Sequence, residues 1–206
     1  MFPCGYLYSV AIWQQHRMEY LSRQELVACA ALAVMSGLAS GVAASLPVAL
    51  ATALLAFLMA AITISDLRHY IIPDVLSLPA IPCGIAAMWL LSGPGSFGNT
   101  VALGVLGALL GGASLYAVKM AYFWWKGIEG LGLGDVKLMA AAGAWLGPEY
   151  LAVTLLLACL GALAAVLLFG LVLKHNVTGK TALPFGAFIA PAIWLVWVYQ
   201  QFAQSQ

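Results

Sequence analysis

The sequence predicts an all-α membrane protein, a polytopic bundle of about six full transmembrane helices plus one short helix. Hydrophobic residues fill 64% of the 206 positions and charged residues 7%, whereas a soluble domain is about one quarter charged. The mean hydropathy is +1.01. The apolar residues are also gathered into runs of about 20, the length a helix needs to cross ~30 Å of hydrocarbon. These runs are Ala, Leu and Val with interspersed Gly, which suits close helix packing, and the alternation of a transmembrane β-barrel is absent.

Residues 1–20, MFPCGYLYSVAIWQQHRMEY, lack a basic stretch ahead of an apolar one. They are therefore read as a cytoplasmic or interfacial segment and not as a cleaved signal peptide. No repeat or low-complexity linker divides the rest, so residues 21–206 are read as one transmembrane domain. The expected spans are 26–44, 47–65, 75–93 and 99–119, followed by a shorter apolar helix over about 136–147 that stops at Gly147-Pro148, and then 150–173 and 183–203. If the short helix also takes the chain across, Arg17, Arg23, Arg68, Lys119, Lys126, Lys137, Lys174 and Lys180 all fall on one side, which the positive-inside rule makes cytoplasmic. About 12 residues cannot cross a bilayer alone, so the glycine-rich stretch before them is expected to dip into the membrane and line a cavity. Trp124, Trp125, Trp194 and Trp197 are read as interfacial belt residues.

Two carboxylates stand out against so apolar a background. Asp66 closes the second span in ISDLRHYIIPD (64–74), and Asp135 opens the short helix after GLGLG (130–134). Both belong to the same membrane face, together with Asp74 and Glu129, while Glu149 falls on the other. An ionisable group at such depth is costly and is a functional candidate by default. Two neighbouring carboxyls cannot both ionise comfortably, so they share a proton; the ionised one can take a proton from water while the other donates to a carbonyl oxygen. That chemistry splits a peptide with no metal, cofactor or covalent intermediate. Gly132 and Gly134, lacking Cβ, let the backbone turn and a substrate strand approach. Lys137 belongs to the same loop and is read as following the positive-inside pattern. Asp74 and Glu129 are candidate contacts for a basic substrate segment, although Asp74 after Pro73 is also expected to cap a helix, as Asp135 is for the short one. His69 is read as a solvated loop residue.

Cys4, Cys29, Cys83 and Cys159 are scattered, with no C-x2-C pair to hold zinc, and are read as small buried hydrophobes. A net charge of +1 gives no reason to expect nucleic acid.

These segments, in this order, resemble the type IV prepilin peptidases, which are GxGD-type aspartic peptidases. GLGLGD carries the G-x-G-D signature and VKLMAAAGAWLG resembles its continuation. DLRHYIIPDVLSLP resembles the family's first aspartate segment, LPFGAF (183–188) its Pro-Phe-Gly-Pro stretch with Ala187 where a second proline is common, and SRQELVACAAL (22–32) the entry to the helical domain. The resemblance covers about residues 22–203. It implies Asp66 and Asp135 as the catalytic pair, and cleavage of a prepilin or pseudopilin precursor after a glycine that ends a short basic leader, at the cytoplasmic face of a bacterial inner membrane. Long members carry an extra span and a cytoplasmic region, often with paired C-x2-C motifs, associated with N-methylation. The chain is similar to a short, peptidase-only form, and methyltransferase activity is not expected. A catalytically silent assembly protein of a pilus or secretion system, or a proton-coupled transporter, would use a similar bundle; two retained aspartates weigh against the first and the lack of internal symmetry against the second.

Overall fold

The computed structural model describes residues 21–43, 45–92, 97–171 and 183–204. The segment 1–20, with Arg17, and the basic residues Lys174 and Lys180 lie outside the described residues. Within them the chain is helical with no strand: α1 (Arg23–Ala43), α2 (Leu46–His69), α3 (Asp74–Leu91), α4 (Phe97–Lys126), α5 (Leu133–Leu146), a 3-10 turn (Pro148–Tyr150), α6 (Leu151–Leu171) and α7 (Gly186–Gln204). Five helices are long and apolar enough to cross a membrane: α2, α3, α4, α6 with its preceding turn, and α7. The first expected span, 26–44, corresponds to α1, which packs along α2 but is not among those five.

Local chemistry accounts for the boundaries. α1 starts with a capping box, in which the Ser22 amide donates to Glu25 Oε2 at 2.6 Å and the Glu25 amide donates to Ser22 Oγ at 3.4 Å. α2 starts after Ser45 with Pro47 in its first turn, where the missing N–H costs nothing. It ends at Tyr70, whose backbone is left-handed (φ 54°) and whose N–H donates to the Asp66 carbonyl. Ser65 Oγ donates to the Ile71 carbonyl at 3.0 Å, so the turn is folded back on the helix it leaves. α3 holds Pro79 and Pro82, a placement that helices in a protein-lined bundle tolerate because neighbours satisfy the freed groups.

The centre of the bundle is α5, whose residues from Leu138 to Leu146 are enclosed apart from Ala140. At about 1.5 Å per residue it is about 21 Å long and too short to cross hydrocarbon by itself. Gly107 of α4 meets Gly143 of α5 backbone to backbone, with no room for a Cβ on either. Gly84 of α3 makes room for Trp145, whose Nε1 donates to the Ala80 carbonyl at 2.8 Å. Trp145 meets Trp197 of α7 edge to face at 5.3 Å, and Trp197 Nε1 donates to Thr52 Oγ1 of α2 at 3.0 Å. Trp197 is thus a core residue and Trp194 is half-buried against the core, contrary to the belt reading, because the α7 face that carries them turns inward. Trp124 and Trp125 are exposed, as a belt requires. Cys4 lies outside the described residues; among the described cysteines Cys29 is buried, Cys83 half-buried and Cys159 exposed on α6, so of these three the buried reading holds fully for Cys29, and an apolar outer face accepts a thiol as readily as a core does.

The end of α2 and the starts of α3, α5 and α7 gather at one end of the bundle, joined by the contacts described next.

Candidate active site

Asp66 sits in the last turn of α2, 5% exposed. That position sets a carboxylate against the negative end of its own helix dipole. The compensating group comes from 121 residues away: the Ala187 amide, at the start of α7, donates to Asp66 Oδ2 at 2.7 Å, and the Gly186 amide also faces this carboxyl. The first amides of a helix have no partner inside it, so the start of α7 is suited to receive an anion. Gly186 is required for the approach, since a Cβ there would lie 3.0 Å from Asp66 Oδ2 and 2.5 Å from Ile72 Cδ1.

Asp135 lies in the first turn of α5, 8% exposed. The helix starts at Leu133, three residues before the expected 136, so the last glycine of the ladder is already helical and Gly132 is the N-cap. Asp135 is therefore not the cap itself; its carboxyl turns back toward the Gly132 amide. A Cβ on Gly134 would lie 2.9 Å from Ile72 Cβ. Ile72, from the turn after α2, thus stands between Gly134 beside Asp135 and Gly186 beside Asp66. The two carboxyls are near enough that the charge of Asp66 acts on Asp135.

Ion pairs frame the pair of aspartates. Lys137 Nζ meets Asp74 Oδ1 at 2.6 Å, joining the starts of α5 and α3. Asp74 is the first residue of α3 and Pro73 its N-cap, so the carboxylate is engaged by Lys137 and not by the backbone of its helix. Lys137, read from sequence as an active-site-loop residue that follows the positive-inside pattern, is its partner. Lys119 Nζ, nearly buried near the end of α4, meets Glu129 Oε2 at 3.2 Å and ties down the segment that leads into the glycines, while Tyr122 packs on Gly130. Arg68 meets Glu25 of α1 at 2.6 Å on the outer side of Asp66. His69 is exposed.

The structure brings together Asp66, Asp135, Gly132 and Gly134, and it engages Asp74 with Lys137 and Glu129 with Lys119 in ion pairs. Sequence reasoning missed Ile72, Gly186 and the Ala187 amide as parts of the site. The LPFGAF stretch was the available signal for the last two, since an amide acts here and no side-chain chemistry marks it. Among the described residues no group of three or more His, Cys, Asp and Glu could hold a metal ion.

A buried pair of carboxyls beside glycine-lined backbone can activate water on one side of a carbonyl and protonate its oxygen on the other. The model of the type IV leader peptidase family matches residues 53–168, which contain both aspartates. Relatives named prepilin leader peptidase/N-methyltransferase include one from Aeromonas hydrophila, 37% identical over 139 residues, covering 68% of this chain and 46% of the relative. One from Pseudomonas aeruginosa is 35% identical over 184 residues, covering 84% and 60%. One from Burkholderia pseudomallei is 33% identical over 172 residues, covering 82% and 52%. The chain spans about half the length of the curated relatives it matches. No solved structure matches it.

Proposed function

Since the chain belongs to the type IV leader peptidase family, we propose that it is a membrane aspartic endopeptidase that removes the basic leader of prepilin or pseudopilin precursors, cutting after a glycine at the cytoplasmic face of the inner membrane. The observation that carries this reading is the convergence of Asp66 and Asp135, each less than a tenth exposed, at one end of a helical bundle whose only route to each other is tertiary. One carboxylate draws a proton from water as the oxygen attacks the scissile carbonyl carbon, and the other protonates the carbonyl oxygen. The resulting diol collapses as the first carboxyl returns its proton to the leaving nitrogen and the second recovers one from a hydroxyl. No metal or covalent intermediate enters this scheme. Gly132, where an added Cβ would meet nothing nearer than 3.5 Å, leaves room for a substrate strand beside Asp135, while Gly134 packs against Ile72.

Arg23, Arg68, Lys119, Lys126 and Lys137 lie at the aspartate end, and Glu149 at the other, which supports a cytoplasmic site. Asp74, in a half-exposed ion pair, can exchange Lys137 for a basic group of a leader at little cost, because such pairs contribute about 0–1 kcal/mol, whereas Glu129, itself exposed, can add a leader cation only while it keeps the buried Lys119 neutralised. The apolar segment beyond the cut would rest in the bilayer against the bundle.

The experiment is cleavage of a purified prepilin-like substrate in liposomes by the unaltered protein, Asp66→Asn and Asp135→Asn. The expected result is cleavage by the first and a loss of roughly 100-fold or more in each variant, with helix content and melting unchanged. Normal cutting by either variant, or none by the unaltered protein across several leaders, overturns the reading.

A further inference from the structure

We propose that Lys119 is a positioning residue for Asp135: its buried ammonium, at the end of the α4 face that packs on α5, holds Glu129 and so fixes the glycine segment from which α5 starts. This rests on the two-aspartate reading above and adds to it a residue that touches neither the substrate nor the two carboxyls.

Among the described residues of α4 the buried ones are Gly104, Gly107, Gly111, Leu115 and Lys119, spaced three or four apart and hence on one face. That face packs on α5, since a Cβ added to Gly107 would run into the Gly143 carbonyl and one added to Gly111 into that of Met139. The two helices are antiparallel, so each turn toward the end of α4 is a turn toward the start of α5. Carried on at the same step, Leu115 is level with Asp135, and Lys119 with Leu131, immediately before the N-cap Gly132. A lysine in the fifth place of an otherwise apolar stripe is costly. Nor does it escape by reaching for water, as a lysine near a helix end commonly does, because the residue is only 7% exposed.

Its partner, Glu129, lies at 3.2 Å, and the side chain of Glu129 is 71% exposed where that of Lys119 is 8% exposed. The carboxylate has come to the lysine. Departure would return Glu129 to water but strand a charge inside the bundle, so Glu129 is held. Lys126, the other cation close by in sequence, lies over the Trp125 ring at 4.6 Å. One residue beyond Glu129, Gly130 sits so close to the Tyr122 ring that a Cβ would lie 2.5 Å from it. Tyr122, three residues after Lys119, is on the same side of α4. The chain leaves that helix through Gly127 in a left-handed backbone (φ 69°) and is folded back over its last two turns. Three of the six residues from 127 to 132 are glycine, which leaves the backbone with little path of its own. Lys119 and Tyr122 supply one. Since α5 starts directly after Gly132 and Asp135 is in its first turn, the seating of this segment decides where the Asp135 carboxyl stands against Asp66.

The test uses the full chain in nanodiscs with Lys119→Met, which keeps the length and removes the charge, Lys119→Arg, Glu129→Ala and the double variant Lys119→Met/Glu129→Ala. The readouts are kcat and KM for a prepilin-like substrate, the melting temperature, and hydrogen exchange of the amides of residues 127–134 by mass spectrometry. Lys119→Met should lower kcat by about tenfold to 100-fold with KM little changed, the size expected when a reacting group is misplaced. It should speed exchange across 127–134 by about tenfold and leave α6 and α7 as they were. Lys119→Arg should keep kcat within about threefold, because the ion pair survives. Lys119→Met leaves a solvated carboxylate and Glu129→Ala leaves a buried ammonium, so Glu129→Ala should melt lower of the two. The double variant should be no slower in kcat than the slower single one, since both remove the same bridge. Exchange in 127–134 that stays unchanged in Lys119→Met, or that rises equally in α6, overturns the assignment. So do a double variant whose loss in kcat is the product of the two single losses, a Lys119→Arg as slow as Lys119→Met, and the reverse order of melting. Should the unaltered protein cleave nothing, the proposed function falls, and exchange still decides the seating: a rise confined to 127–134 in Lys119→Met supports it, and no rise refutes it.

Discussion

At the scale of single residues, the site depends on where side chains are missing as much as on where they are present. Gly134 and Gly186 both pack against Ile72, and a methyl group on either runs into it. Gly134→Ala is therefore expected to reduce cleavage strongly, and Ile72→Ala in the same chain to restore part of it, a coupling read from a double-mutant cycle of kcat/KM. If the double variant is no better than Gly134→Ala alone, Ile72 is not what the added methyl meets. Asp66 shows why part of this was hidden. The residue itself was legible, because a carboxylate at the end of an apolar run is conspicuous. Its partner was not, because the Ala187 amide is 121 residues distant and an amide leaves no mark in composition.

At the scale of elements, α5 is held by close backbone contact where a longer helix would be held by lipid-facing length. Gly107 and Gly143 touch through their backbones, so a side chain on either must push α4 and α5 apart. Gly143→Ala or Gly107→Ala is expected to lower the melting temperature in detergent, by an overpacking cost of about 1–3 kcal/mol, and to reduce cleavage because α5 carries Asp135. An unchanged melting temperature in both would show that the helices separate freely. The Lys137–Asp74 pair, between α5 and α3, is half-exposed, so Lys137→Ala should cost no more than about 1 kcal/mol in the same melt. The short helix was legible as an apolar segment ending at Gly147-Pro148. Its start was displaced by three residues, because glycines read as loop formers and here Gly134 is accommodated inside the first turn by packing against Ile72. The pairing of Lys137 with Asp74 and of Lys119 with Glu129 was not legible, since charge counts give a side of the membrane and not a partner.

At the scale of the whole molecule, the order and approximate extent of the helices followed from run length and from Gly-Pro punctuation, which act locally. Which faces turn inward did not, as Trp197 shows: its neighbours Trp145 and Thr52 come from other helices. The charge asymmetry gives a topology that labelling can check. In a chain with its natural cysteines replaced, Ile128→Cys is expected to react with an impermeant thiol reagent only after the cytoplasmic side is exposed, and Glu149→Cys from the outer side in intact spheroplasts. The reverse pattern would place the aspartates on the outside and remove the proposed substrate from reach.

Ile72 carries one more consequence. Its side chain fills the space between Gly134 and Gly186, next to the two carboxyl groups. Under the proposed function, a substrate backbone that is to lie beside both carboxyls takes the place of this side chain, so admission to the site is a step separate from proton transfer and precedes it.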